Sequence, residues 1–94
     1  MQSPYDRRIL DRQVGRNAQL FAEAIAGLGG PEERYPYLRI LVSLIEHAHP
    51  EWNQAPQKDR QIAEVVWMMS DRKLDQDEVA LVVQARDEER GYTR

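Results

Sequence analysis

Cysteine is absent from this 94-residue chain, and that excludes disulfides, thiolate nucleophiles and cysteine-ligated zinc or iron–sulfur sites. Histidine is nearly absent too: His47 and His49 are the only imidazoles, so general-base chemistry and histidine-rich metal sites have little to draw on. No apolar run approaches the roughly 18–20 residues of a membrane span. The first residues, Met1-Gln2-Ser3-Pro4-Tyr5-Asp6-Arg7-Arg8, lack the apolar core of a secretory signal, so a cytoplasmic protein is expected. There is no glycine-rich phosphate loop, no repeat and no low-complexity tract. Positive charge is in the minority. A net charge of −3 and a pI near 5.3 argue against non-specific binding of nucleic acid by the whole surface.

What the chain does have is apolar side chains at helical spacing. Hydrophobic residues make up 41% and charged residues 31%, enough to build a core in one small domain. Leu10, Val14, Ala18, Phe21, Ile25 and Leu28 recur at steps of three and four and fall on one face of a helix. That helix starts either at Ser3, with Pro4 in its first turn, or near Gln13. Residues 1–12 are accordingly a helix extension or a separate arm. Gly15 opposes helicity inside this run, and Gly29-Gly30 stops it.

The second helix is predicted from Tyr35 to Ala48, because Pro36 lacks an N–H and is ill suited to a helix interior. Leu38, Leu41, Val42 and Ile45 form its core stripe, and Tyr37, Ile40 and Leu44 form a second stripe beside it. His49-Pro50 ends this helix, and residues 50–57 are a connection. The third helix is predicted from Gln57 to Ser70, with Ile62, Val65, Val66 and Met69 inward and Ala63 and Trp67 on its flank. Asp75, with Glu78 three residues on, reads as a capping box opening a fourth helix from Gln76 to Glu89. Val79, Val82 and Val83 face inward there, although β-branched residues weaken helicity. Residues 91–94 read as a frayed tail. The expected fold is all-α, a small single-domain bundle of three to four helices.

Val14-Gly15-Arg16-Asn17, Glu32-Glu33-Arg34, Pro50, Met69-Ser70-Asp71 and Lys73-Leu74-Asp75 occur in an order that resembles a bacterial domain-of-unknown-function family whose members begin with a Tyr-Gly-Arg-Asn signature. The likeness covers roughly residues 5–75 and only the N-terminal part of the longer family members. Val14 stands where the family has tyrosine. Arg60 and Ala63 to Val65 stand near the family's His and Trp-Asp-His positions, so no role of those residues carries over. The resemblance implies a helical fold and a bacterial cytoplasmic setting.

Several clusters invite a chemical reading. His47 and His49, with Glu46 and Glu51 nearby, have metal-ligand chemistry, but residues two apart on a helix diverge by about 200°, and two histidines fall short of a site. A helix C-terminus accommodates them as well. Asp71, Asp75, Asp77 and Glu78 form an acidic corner that lacks the glycine and ligand spacing of a calcium loop. Gly15 is expected to admit a close helix approach, with Arg16 pairing to Asp71 or Asp75. Ser43, Ser70 and Thr93 have no evident activating base. No catalytic residue, metal site or cofactor is therefore assigned, and an enzyme is not expected.

Two binding hypotheses remain. The first is a non-enzymatic protein–protein interaction module, a homodimer or a small accessory subunit of a bacterial assembly. It would use the apolar and aromatic side chains left over from the core: Tyr37, Ile40, Leu44, Trp67 and Trp52, with Tyr35 beside them. The alternative is a nucleic-acid or ribosome-associated protein using an N-terminal arginine arm of Arg7, Arg8, Arg12 and Arg16.

Overall fold

A computed structural model describes residues 15–91 as four α-helices and one 3₁₀ segment: α1 (Arg16–Ala26), α2 (Pro31–Ala48), the 3₁₀ segment (Pro50–Gln54), α3 (Lys58–Met69) and α4 (Gln76–Glu89). The fold is all-α, with no strand among the described residues. None of the described helices is long and apolar enough to cross a membrane.

Each helix donates one stripe to a single core. Ala18, Ala22 and Ile25 come from α1, Leu38, Leu41, Val42 and Ile45 from α2, Ile62, Ala63, Val66 and Met69 from α3, and Val79, Ala80, Val82 and Val83 from α4. Leu74 fills the corner between the last two. The three- and four-residue steps put these side chains on one face, and their removal from water is the main stabilising term. Helix α3 packs chiefly on α4, and α2 lies against α1 and α4. Ion pairs join Arg34 to Glu78 near the start of α2 and α4, and Glu46 to Arg86 and Arg90 near their ends. The two helices therefore run in the same direction.

Several boundaries differ from the sequence expectation, each for a local reason. Helix α1 opens at Arg16, neither at Ser3 nor at Gln13. Gly15 precedes it with φ +95°, a conformation that L side chains rarely adopt. A Cβ at Gly15 would meet nothing within 4 Å, so this glycine serves backbone conformation and not a close helix approach. Leu10 and Val14, and the question of an arm in residues 1–12, lie outside the described residues, as do residues 92–94 of the expected tail.

Helix α2 begins at Pro31, four residues earlier than expected, and contains Pro36. Pro31 occupies the first helical position, where no N–H is needed, and Glu32 and Glu33 meet the positive end of the helix. Pro36 and Glu32 are both exposed, so the backbone bond missing between them falls on the solvent side of the helix. On α3, Ala63 is fully buried and Val65 only half-buried, the reverse of the expected assignment. Helix α4 has the predicted bounds.

The α3–α4 corner accounts for the Met69-Ser70-Asp71 motif. The Arg72 amide donates to the Trp67 carbonyl at 2.8 Å, and the Asp71 amide to the Met68 carbonyl at 3.2 Å, the paired bonds of a Schellman stop. Asp71 and Arg72 adopt φ of 59° and 64° to make them. Ser70 Oγ donates to the Trp67 carbonyl and accepts from the Leu74 amide at 2.9 Å. Asp75 then caps α4 by accepting from the Glu78 amide at 3.0 Å. The Glu78 carboxylate takes both bonds of a bidentate pair with Arg34, at 2.9 Å each, and α4 is tied to α2.

Candidate interaction surface

Helix α2 has two apolar faces, and only one is used by the core. Leu38, Leu41, Val42 and Ile45 have no exposure, whereas Tyr37, Ile40 and Leu44 are 45%, 52% and 46% exposed. At 100° per residue the exposed three lie within an arc of about 60° on the solvent side of the helix. Tyr37 is steadied from α1, where Phe21 meets it edge to face at a centroid distance of 6.4 Å. On the other flank a shallow groove of about 370 Å³ is lined by Pro36, Arg39, Ile40, Ser43, Leu44 and Arg86.

The two arginines of that groove are engaged. Arg39 forms a bidentate pair with Glu89 at 2.6 and 3.0 Å, and also reaches the Tyr35 hydroxyl at 3.2 Å. These bonds, chiefly those to Glu89, raise its already high pKa. Arg86 donates to Glu46 at 2.9 Å. The groove therefore offers apolar walls and arginines whose charges are already balanced.

Beneath it lies an ionic cluster that the sequence reading missed. Lys58 is 2% exposed and holds Glu46 at 2.9 Å and Asp87 at 2.8 Å. Arg90 closes the cluster with bonds of 2.7 Å to Glu46 and 3.0 Å to Asp87. Burial alone would raise the Glu46 pKa, but the bonds from Lys58, Arg90 and Arg86 outweigh it and hold the carboxyl below its usual range. A signal was present in the sequence. Glu46, Lys58 and Asp87 each stand four residues from a core position, Val42, Ile62 and Val83, and so share the buried face of their helices.

The remaining candidates have structural partners. His49 is buried, stacked on Trp52 at 3.9 Å with nearly parallel rings, and its Nδ1 lies 3.1 Å from a Glu51 oxygen. His47 is exposed, with Nδ1 2.8 Å from the Ser43 carbonyl. Among the described residues no three metal-ligating side chains converge. In the acidic corner, Asp75 caps α4, Glu78 pairs with Arg34, and Asp77 pairs with Arg60 at 3.0 Å. Trp52 is half-buried and closes the edge of the core. Trp67 is half-buried on α3, under the Arg72 guanidinium at 5.6 Å, and does not line the α2 groove. Arg16 opens α1 as an exposed residue, while Arg7, Arg8 and Arg12 lie outside the described residues.

No protein-family model, curated protein or solved structure matches this chain.

Proposed function

We propose that this chain is a non-enzymatic protein-interaction module of the bacterial cytoplasm. It acts as a homodimer or as an accessory subunit of a larger assembly, through the outer stripe of α2. One observation carries the reading: Tyr37, Ile40 and Leu44 stand about half exposed in register along a helix whose opposite face is fully buried. Scattered exposed apolar residues are ordinary, whereas an aligned apolar stripe beside a groove is the form of a binding face. The resemblance of the Val14-Gly15-Arg16-Asn17 motif to a bacterial family supports the setting.

The test is Ile40→Asp and Leu44→Asp, read by circular dichroism and by association, either with itself or with a partner captured from bacterial lysate. Both variants are expected to stay helical and to lose association. An unfolded variant would make the stripe part of the core and end the reading, as would association at wild-type strength.

A further inference from the structure

We infer that Lys58 and Asp87 join in an intramolecular amide, formed by the chain itself with Glu46 as the proton carrier. This is independent of the interaction reading above. Lys58 Nζ donates to Asp87 Oδ1 at 2.8 Å and lies 2.9 Å from Glu46 Oε2. Each of the three side chains is 4% exposed or less. A nucleophile, an electrophilic carboxyl and a base thus share one site from which water is largely excluded, which is the set a condensation needs. Nζ is at most one C–O bond further from the Asp87 carboxyl carbon than from Oδ1. The fold has already brought the reactants together, and positioning of this kind gives effective molarities of about 10⁵–10⁸ M.

The residue types agree with that chemistry. The chain uses arginine eleven times and lysine twice, yet the cation most deeply buried here is a lysine. A guanidinium keeps its proton and is no nucleophile, whereas an ammonium that passes a proton on becomes a neutral amine. Glu46 accepts from Arg86 and Arg90 at 2.9 and 2.7 Å, bonds that favour its ionised form, the form able to take that proton. Arg90 also donates to Asp87 Oδ1 at 3.0 Å, where negative charge develops once the nitrogen attacks.

The step balances within the cluster. The Lys58 ammonium gives one proton to Glu46, and Nζ attacks the Asp87 carboxyl carbon. Oδ1, held by Arg90, stays as the amide oxygen. The other carboxyl oxygen leaves as water, carrying the proton from Glu46 and a second one from the nitrogen. An ammonium and a carboxylate become an amide and a water, with no oxidant or co-reactant. The amide removes an ion pair whose burial carries a desolvation penalty. It also ties α3 to α4 covalently in a chain that has no cysteine to do so.

Mass spectrometry of the denatured chain tests this directly. The wild type should weigh its sequence mass, near 11.0 kDa, less one water. Trypsin should release residues 40–60 joined to residues 87–90, because an acylated Lys58 is no longer cut. Lys58→Arg should keep the full mass, and Glu46→Gln should form the link about 10²-fold more slowly or worse. A folded wild type that keeps its full mass after days at neutral pH overturns the proposal. So does a water loss that persists in Lys58→Arg, or one confined to residues 40–60, which would place the bond elsewhere. Linking of Glu46→Gln at the wild-type rate overturns the role of Glu46. The wild-type mass and peptide map need no variant, so they decide the matter even if a substitution prevents folding.

Discussion

Lys58 and Glu46 form an ion pair at 2.9 Å, with side chains only 2% and 4% exposed, at the point where three helices meet. Glu46 ends α2, Lys58 begins α3, and Asp87 and Arg90 bring in the end of α4. Charges buried this deeply are tolerable only because each is matched.

The first prediction follows. Lys58→Met leaves Glu46 and Asp87 buried with only Arg86 and Arg90 to balance them, so it should destabilise the fold by about 3–5 kcal/mol. Replacing Lys58, Glu46 and Asp87 together by apolar residues of similar size should cost much less than the sum of the single changes. Denaturant unfolding of the three single variants, the triple variant and the wild type measures that difference. Additive losses would show that the cluster is not coupled.

Acid should act through the same residue. The folded-state pKa of Glu46 lies below its ordinary value near 4.5, so its contribution to stability is complete above that value and is lost as pH falls through the lowered one. Thermal melts from pH 7 down to pH 3 should show a loss of stability confined to the acid side. Glu46→Gln should flatten that dependence while lowering stability at pH 7.

The α3–α4 corner gives a stabilising change. Asp71 sits at φ 59°, in the left-handed region, where a Cβ costs energy that glycine avoids. Asp71→Gly should raise stability by about 0.5–1 kcal/mol. Ser70→Ala, which strands the buried Leu74 amide, should lower it by about 1–2 kcal/mol. Opposite signs at adjacent residues in a thermal melt would establish the geometry of the stop.

The two faces of α2 can be separated with one substitution type. Leu41→Asp places a carboxylate at a position with no exposure and should unfold the domain, a loss above about 4 kcal/mol. Leu44→Asp, three residues on and 46% exposed, should shift stability by less than about 1 kcal/mol. Circular dichroism at 25 °C distinguishes them.

Much of this was legible as periodicity. The core stripes of α2 and α4 follow directly from the steps of three and four, and Asp75 announced its own helix. The exposed stripe of Tyr37, Ile40 and Leu44 was legible for the same reason, since one helix cannot turn two faces to one small core. Local rules failed where tertiary context decides. Pro36 lies inside α2 on an exposed side of its second turn, a placement that no sequence rule reveals. Gly15 looks like a packing residue in the sequence, but its backbone angle sets its role. The burial of Lys58 is easily missed because charge is read as exposure. Its helical phase pointed inward, but that phase becomes convincing only once Glu46 and Asp87 are seen across from it.

The ionic cluster also sets an order of events during synthesis. Glu46 and Lys58 leave the ribosome well before Asp87 and Arg90, the residues that complete their hydrogen bonding. Until Asp87, Arg86 and Arg90 emerge, α2 and α3 carry an acid and a base destined for burial with one bond of the cluster, that between Glu46 and Lys58, and they also lack the valine stripe that seals the core. The nascent chain should therefore stay loosely folded through three helices and close in one late step. Stalling translation just before Asp87 would leave the core open to proteases, whereas extension past Arg90 would shut it.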